Sequence, residues 1–130
     1  MEACKFCPGS LNPKEIILQN AVCVFIQNAE SAENGLGLIL PRAHRETVFD
    51  LVPEEWAATL ELLKEAKGYL DGKHQPGGYN VGWNCGAIGG QHIFHAHMHV
   101  IPRYSDEPFA GKGIRYWVAR GENKRVVQIT

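Results

Sequence analysis

The sequence predicts a single α+β domain, residues 1–130, in which an antiparallel sheet packs with one main helix. Three observations predict it. Short apolar runs of strand-like composition lie on both sides of one segment with helical periodicity. The 130 residues provide one hydrophobic core, and no internal repeat divides the chain. A content of 45% hydrophobic and 21% charged residues excludes a disordered chain and a coiled coil.

The first third of the chain predicts three strands. Residues 15–18 and 21–26 are apolar runs separated by two polar residues that predict a turn. Residues 27–34 are polar and predict a loop. Residues 36–40 form the third predicted strand, which we expect to end at Pro41 because proline cannot donate to the ladder.

The middle of the chain predicts a helix that begins near Pro53. Glu54 and Glu55 lie in its first turn, where the helix dipole favours negative charge. Residues 68–72 contain two glycines and are expected to weaken and end the helix. The apolar residues that recur at helical spacing are Trp56, Leu60, Leu63 and Leu70.

Beyond the helix, residues 74–90 are rich in glycine, and a strand is predicted inside them over residues 79–84. The last predicted strand covers residues 93–101 and is expected to stop at Pro102. Residues 111–130 are basic and aromatic, and the sequence predicts no conformation for them.

Charge, hydropathy and cysteine count exclude several classes of function. With 13 basic and 14 acidic side chains, the net charge of −1 lacks the surplus that non-specific binding to a nucleic-acid polymer requires. No apolar run approaches the about 20 residues of a membrane span. The first residues form no apolar leader, so we expect a cytoplasmic protein. In a reducing compartment, Cys4 and Cys7 indicate metal ligands rather than a disulfide.

Three histidines alternate with apolar residues near the end of the chain. His95, His97 and His99 follow the side-chain period of a strand, so all three rings are expected on one face. An ordinary solvated face explains the pattern poorly, because threonine, lysine or glutamate would serve there equally well. The alternating residues, expected on the core side, are Phe94, Ala96, Met98 and Val100.

This row admits two kinds of chemistry. Three imidazoles can ligate a catalytic zinc ion, or one neutral imidazole can attack phosphorus or a carbonyl carbon. Residues 84–91 form a glycine-rich loop that leads directly into the row, and glycine lets backbone N–H groups approach an oxyanion. The loop favours phosphorus as the target, with a plain hairpin connection as the alternative.

Residues 90–103 resemble the signature of the histidine triad (HIT) superfamily. That signature is His-φ-His-φ-His-φ-φ, where φ is apolar, preceded by a glycine-rich loop that ends in Gln. Residues 38–44 are similar to the family's apolar strand followed by Pro, a basic residue and His, and residues 4–7 to the CxxC of its bacterial members. The resemblance implies the family's antiparallel sheet with one main helix, and a homodimer with a continuous sheet.

The resemblance implies a nucleotide hydrolase or transferase that acts at the α-phosphate of adenosine nucleotides. Its substrate would be a dinucleoside polyphosphate or a nucleoside phosphoramidate. His97, the middle histidine, would attack phosphorus through Nε2 and carry a transient nucleotidyl group that water releases. An acceptor such as a backbone carbonyl would hold the proton on its Nδ1.

The resemblance also implies which residues bind the substrate. His99 would donate a hydrogen bond to a phosphate oxygen as charge develops there. Gln91 and the amides of Gly89 and Gly90 would bind the same phosphate, and Asn84 matches the asparagine that the family uses near sugar and phosphate. Together with His97 they define the expected pocket.

Two positions depart from the family's pattern. The residue after the loop Gln is usually Ser or Thr and is His92 here, so His92 is either a proton donor or phosphate ligand, or a solvated loop residue. The family's ribose-binding aspartate is replaced by Asn28, which can hydrogen-bond a hydroxyl but carries no charge. Both departures leave the leaving group and the preferred nucleoside open.

A Cys₂His₂ zinc site is expected from Cys4, Cys7, His44 and His95. The CxxC pair supplies two thiolates from one turn, and two histidines complete a tetrahedron. Bacterial relatives use similar positions for structural zinc. Such a site would hold His95 rigid and contribute about 10 kcal/mol; the alternative is a pair of reduced cysteines with His44 merely packing.

The remaining cysteines and several apolar residues are interpreted mainly as core or loop residues. Cys23 is expected in the core, and Cys85 is either a pocket-lining residue or a small loop residue. Phe6, Phe25 and Ile26 would wall a purine, although core packing is the better interpretation of each.

Two rival functions stay open. A metallohydrolase would use His95, His97 and His99 as zinc ligands, and a chelator would stop its chemistry outright. A non-catalytic sensor would bind adenylate tightly and never form a nucleotidyl-histidine. Under each hypothesis, Tyr116 and Trp117 of the tail contact a second subunit or cover the substrate.

Overall fold

The structure, a computed structural model, describes residues 4–126. The five strands of the sheet are β1 (Ile16–Gln19), β2 (Cys23–Ile26), β3 (Gly37–Pro41), β4 (Gly78–Trp83) and β5 (Met98–Arg103). The α-helices in this range are α1 (Ala29–Ala32) and α2 (Pro53–His74), and short 3-10 turns cover Pro13–Glu15 and Val48–Asp50. The predicted α+β class, with an antiparallel sheet and one main helix, is confirmed.

All strand pairs are antiparallel, in the order β1-β2-β3-β5-β4. Strand β5 lies between β3 and β4, so that His99 faces Leu38 on one side and Gly82 on the other. His99 therefore lies within the sheet, whereas β4 is an outer strand.

Helix α2 covers one face of the sheet. The core between them consists of Cys23, Phe25, Ile39, Ala58, Leu62, Ala66, Leu70, Met98 and Val100. The core positions predicted for Cys23 and Phe25 are thus confirmed, and neither residue can wall a ligand. On the opposite face, Ile26 is buried in a smaller cluster that Phe6 partly covers.

Helix α2 begins where predicted and runs further than predicted. The carboxylate of Glu55 accepts a hydrogen bond from the Val52 N–H at 2.9 Å, which satisfies one of the free donors of the first turn. Gly68 and Gly72 lie inside the helix rather than at its end, and Gln75 ends it with a left-handed φ of 50°. Two exposed glycines weaken a helix by about 1 kcal/mol each but do not break it.

The buried face of α2 matches the predicted one in part: Leu70 is buried and Leu63 packs against the core. Trp56 and Leu60 are 48% and 54% exposed, because the helix packs on the sheet through a neighbouring row that includes two alanines. Small side chains let the helix approach closely, and Trp56 instead packs edge-on against Trp83 of β4, with ring centroids 6.0 Å apart. The hydrophobic residues of the helix that are buried are Ala58, Leu62, Ala66 and Leu70.

The last strand begins later than predicted. Residues 93–95 form a bend, and β5 starts only at Met98. The Ala96 N–H donates to the Arg45 carbonyl at 2.6 Å, so this segment is held by a loop outside the sheet. Pro102 lies inside β5, beyond the last pair with β3 at Val100, so its missing N–H removes no ladder bond on that side.

The predicted polar loop over residues 27–34 contains the short helix α1, which Asn28 caps. Within residues 4–126, no helix combines the length and hydropathy that crossing a bilayer requires.

Candidate functional site

The three histidines form a continuous group of rings beside the sheet. The ring centroids of His97 and His99 are 5.1 Å apart. Phe6 packs edge-on against both His97, at 5.1 Å, and His95, at 6.2 Å. His99 pairs with Leu38, whose side chain packs in the cluster on the face away from α2. The row therefore stays together on that face, although only His99 lies in a regular strand.

The apolar residues that alternate with the histidines are buried, with one exception. Met98 joins the main core, and Ala96 packs with Val48 and Leu51. Phe94, predicted on the core side, is 43% exposed because the backbone bends before β5 begins. Strand-like alternation therefore holds only from residue 96 onwards.

A main-chain hydrogen bond fixes the proton of His97. Its Nδ1 lies 2.8 Å from the carbonyl oxygen of His95, and the ring is buried. Because a carbonyl oxygen can only accept, Nδ1 carries the proton. In the neutral ring, Nε2 then holds the lone pair, in the orientation that nucleophilic attack requires.

Asn84 links the glycine-rich loop to His99. Its side-chain nitrogen lies 3.4 Å from Nε2 of His99 and 3.5 Å from the Gly90 carbonyl oxygen. Burial lowers the pKa of His99, and charge on the neighbouring His97 lowers it further. His99 is therefore neutral at a pH where a free histidine is partly charged.

The amide N–H groups of the glycine-rich loop form hydrogen bonds within the loop. The N–H groups of Gly89 and Gly90 donate to the carbonyls of Gly86 and Ala87, at 3.1 and 3.0 Å. Gly86 and Gly90 have φ values of 77° and 96°, which only glycine adopts without strain. Both amide hydrogens are bonded inside the turn in this structure, and phosphate binding by Gly89 and Gly90 stays a prediction.

Gln91 supports the loop from inside. Its Oε1 accepts from the Gly86 N–H at 2.9 Å, and its Nε2 donates to the carbonyls of Glu46 and Ile93, at 2.7 and 3.1 Å. The side chain is 1% exposed. In this structure the Gln91 amide fastens residues 86–91 to the segment before α2, and its role as a phosphate ligand stays a prediction.

Four potential metal ligands meet beside the row. The ligand atoms of Cys4, Cys7, His44 and His95 all lie within 4.8 Å of one another. Sγ of Cys4 is 3.3 Å from Nδ1 of His95, and Sγ of Cys7 is 3.4 Å from Nδ1 of His44 and 3.7 Å from that of His95. Around a tetrahedral zinc ion, sulfur and nitrogen ligands are about 3.6 Å apart. These side chains can hold a metal ion with little movement.

The ring of His95 is oriented for this role. Its Nε2 donates to the Pro41 carbonyl at 2.7 Å, so Nδ1 faces the sulfur atoms with a lone pair. Burial lowers the pKa of His95, which favours the neutral form that a metal ligand needs. A hydrogen bond with Cys4 raises the pKa of Cys7, so a bound cation would favour the thiolate form of Cys7.

A model of the HIT domain family matches residues 10–106, which is most of the sequence. The chain belongs to the HIT domain family.

Curated HIT relatives from several organisms resemble this chain. An uncharacterised 16.1 kDa HIT-like protein of Mycoplasma pneumoniae is 34% identical over 93 residues, which are 72% of this chain and 62% of that protein. An uncharacterised HIT-like protein of Mycoplasma genitalium is 31% identical over 129 residues, 97% of this chain and 87% of the relative. The adenosine 5'-monophosphoramidase hnt1 of Schizosaccharomyces pombe is 28% identical and is matched over 85% of this chain and 79% of its own length.

A solved HIT structure has the same fold. The zinc-bound histidine triad family protein of Mycobacterium smegmatis superposes with a TM-score of 0.70 at 24% identity, over 84% of this chain and 81% of that one. The likeness confirms the fold that the HIT resemblance implied.

The two departures from the HIT pattern lie at exposed positions. His92 is exposed at the end of the glycine-rich loop. Asn28 is exposed after β2, and its Oδ1 caps α1 by accepting from the N–H of Ser31 at 2.8 Å and from its hydroxyl at 2.9 Å. Because Oδ1 is committed to the cap, the side-chain N–H groups of Asn28 are left to meet a ribose hydroxyl.

Sequence reasoning missed one buried ion pair that positions the row. Glu55 is almost fully buried and accepts from Nε of Arg45 at 3.0 and 3.1 Å. The carbonyl of the same Arg45 accepts from the Ala96 N–H, and Arg45 directly follows the potential metal ligand His44. Glu55 therefore fastens the loop that carries both His44 and the Arg45 carbonyl. Its helix-start position was the one sequence signal, and it gave no indication of this partner.

Proposed function

We propose that this HIT-domain protein is a nucleotide hydrolase or transferase acting at the α-phosphate of adenosine nucleotides. The observation that carries the proposal is the 2.8 Å hydrogen bond from Nδ1 of His97 to the His95 carbonyl, which leaves Nε2 free to attack. The name of the Schizosaccharomyces pombe relative, an adenosine 5'-monophosphoramidase, supports the substrate class.

The reaction proceeds through a covalent nucleotidyl-histidine. The lone pair on Nε2 of His97 bonds to the α-phosphorus while the bond to the leaving group breaks, and the leaving group departs with that electron pair and takes up a proton. The ring becomes cationic, so its hydrogen bond to the His95 carbonyl strengthens. Water then loses a proton as it attacks the phosphorus, the P–N bond breaks, and nucleoside monophosphate leaves with His97 neutral again.

His99 and Asn84 are the proposed phosphate-binding side chains. They lie within 3.4 Å of each other, and the His99 ring contacts the His97 ring. Since Gln91 and the loop amides are bonded elsewhere, these two side chains supply hydrogen bonds to the non-bridging oxygens. Such bonds strengthen as charge develops in the transition state.

We propose that Cys4, Cys7, His44 and His95 bind a structural zinc ion. The match between the sulfur–nitrogen distances and a tetrahedral site supports this choice of metal. Zinc would supply a cross-link there and no reacting group. Because the His95 carbonyl holds the His97 proton, fixing His95 also fixes the nucleophile.

The rival metallohydrolase is disfavoured by the orientation of His95. Its Nδ1 faces Cys4 and Cys7, and its Nε2 is bonded to the Pro41 carbonyl. Neither nitrogen is available for a metal ion shared with His97. The non-catalytic sensor differs from the proposed enzyme only in lacking the covalent intermediate, so trapping that intermediate separates the two.

The test is a rapid quench with an adenosine nucleotide labelled at the α-phosphorus. We expect a labelled adenylyl group on His97 of the wild-type chain, located by mass spectrometry of peptides. His97→Gly should carry no label and lose at least about 10³-fold in turnover. The matched control His74→Gln changes a histidine at the end of α2 and should be labelled like the wild type. Full turnover by His97→Gly, or turnover without label, would remove the mechanism.

We also propose a homodimer, in a reducing cytoplasmic compartment, that forms through the outer strand β4. Beside β4, Trp56 and Leu60 leave about half of their side chains exposed, and Trp56 packs against Trp83. A second copy paired with β4 would continue the sheet and cover these side chains. Light scattering should give about twice 14.4 kDa for the wild type and about 14.4 kDa for Trp56→Lys. A monomeric wild type would contradict the proposal.

A further inference from the structure

Two adjoining cavities lie on the sheet next to His99. The first, of about 200 Å³, is bordered by Asn84 and His99, and the second, of about 300 Å³, extends to Trp117. Residues common to both are Asn80, Ile101 and Ile114. The two cavities are therefore one trough, here called the tail trough, that begins at the proposed phosphate-binding side chains and ends at the aromatic tail.

The outer wall of the tail trough is anchored by Arg103. Its guanidinium donates to the side chain of Asn80, to the carbonyl oxygens of Phe109 and Lys112 at 2.7 and 2.6 Å, and to the Glu107 carboxylate at 2.6 and 2.9 Å. One side chain thus fastens three points of the tail to β4 and β5. The wall is held by charge-assisted bonds rather than by exposed apolar contacts.

Ile114 brings the tail onto the sheet. Its Cδ1 lies 3.6 Å from the position that a Cβ on Gly82 would take, and Gly82 faces His99 across β4 and β5. The glycine leaves room for Ile114 to close one side of the trough next to the reacting phosphate. Ile114 is thus the tail residue nearest to the chemistry.

The chemistry of the tail trough changes along its length. The end at Asn84 and His99 is polar, whereas Phe109 and Trp117 form an edge-to-face pair at the other end, with ring centroids 5.6 Å apart. Lys112 also borders the second cavity, with its amine held 5.0 Å from the Tyr116 ring. From His99 to Arg103 the strand rises about 13 Å. A polar end for phosphate and an aromatic end with a cation nearby are contacts that suit a nucleotide.

The position of His97 decides which half of a substrate enters the trough. Attack at phosphorus is in line, so the departing group lies opposite the entering nitrogen. The ring of His97 has Phe6 on one side and His99 on the other, and only His99 borders the trough. Phe6 packs on one side of His97 and the trough opens beside His99 on the other, which assigns the departing group to the trough and the adenosine that stays on His97 to the Phe6 side.

We propose that the tail trough binds the leaving nucleotide of a dinucleoside polyphosphate, with its base against Trp117 and Ile114 beside its phosphates. This inference rests on the proposed function, and it selects dinucleoside polyphosphates over small phosphoramidates as the preferred substrate class. Ile114 and Trp117 are specificity-determining residues that act on the leaving group and not on the adenylyl half.

The test compares two substrates that share an adenylyl group and differ in the leaving group: diadenosine tetraphosphate, and adenosine phosphoramidate, which releases ammonia. For Trp117→Ala and Ile114→Ala, kcat/KM should fall about tenfold or more with the first substrate, as expected when a stacking or apolar contact is lost. With the second substrate it should change less than about twofold. Trp117→Phe should recover most of the loss, and Val118→Ala, an exposed tail change outside the trough, should behave like the wild type.

Each other outcome overturns the inference in a recognisable way. Equal losses with both substrates would place the adenylyl half in the trough, and no loss with either would show that the trough binds nothing. Both results leave the proposed function standing. A wild-type chain that cleaves neither substrate removes the proposed function and this inference with it. Thermal unfolding of each variant checks that the tail change leaves the fold intact, and Trp117→Phe serves where Trp117→Ala unfolds.

Discussion

The two flanks of the histidine row are held by different kinds of cross-link. On the metal flank, Cys4, Cys7 and His44 converge on His95. On the tail flank, hydrogen bonds from Arg103 hold the chain that follows β5. A metal ion bound at the first flank would fix the carbonyl that accepts from His97, whereas the tail flank builds the wall of an open trough. Under the proposed function, reaction chemistry and substrate choice would therefore be supported separately, so each could change without the other.

Breaking the metal flank should have the largest effect. We expect Cys4→Ser to lose the bound zinc and a large part of the about 10 kcal/mol that such a site contributes. Metal analysis should find about one zinc per wild-type chain and much less in the variant, together with a strongly lowered melting temperature and lost turnover. Cys85→Ala, which changes a cysteine outside the cluster, should keep its metal. A wild type that is metal-free and equally stable would contradict the site.

A smaller loss of stability should follow from removing the ion pair between Glu55 and Arg45, which also supports the metal flank. Glu55→Gln removes the charge that pairs with Arg45 inside the protein. We expect a loss of about 2 kcal/mol, below the range for a fully buried pair because Arg45 is one-third exposed and regains water. Chemical denaturation of the metal-loaded protein measures it. Unchanged stability would show that the loop is held by the metal alone.

The smallest effect on stability, and the sharpest contrast between the flanks, should come from Arg103→Lys. Lysine keeps the charge but cannot reach the several acceptors that the guanidinium fork joins. We expect a small loss of stability, normal zinc content, and a larger fall in kcat/KM for diadenosine tetraphosphate than for adenosine phosphoramidate. Equal losses with both substrates would mean that the tail flank also supports the chemistry.

Local pattern predicted most of the fold. Strands and helix were found within a few residues of their places because each carries its own periodicity or turn residues. The late start of β5 was not predictable, since the Ala96 N–H bonds to Arg45, far away in sequence. The buried face of α2 was shifted because packing favoured the alanines over the larger Trp56 and Leu60.

At the site, too, the sequence predicted which residues are present but not which partners they bond to. The cluster of metal ligands came from residue types and a family resemblance, and its members do meet in space. Gln91 and the glycine amides fit a phosphate pocket by type, but in this structure the glycine amides bond within the loop and Gln91 bonds to the loop and to Glu46. Sequence spacing indicates which groups lie near a site. It does not indicate which of their lone pairs and hydrogens remain free to bind a ligand.

The acceptor that holds the His97 proton belongs to the peptide backbone. Every amino acid at position 95 has the same carbonyl oxygen, so no substitution there removes the acceptor. A replaced residue can displace the oxygen only by moving the chain, and the chain is pinned by the cluster at its own side chain. Which nitrogen of His97 carries the proton is thus set by the path of the backbone, and a substitution alters it only by moving that backbone.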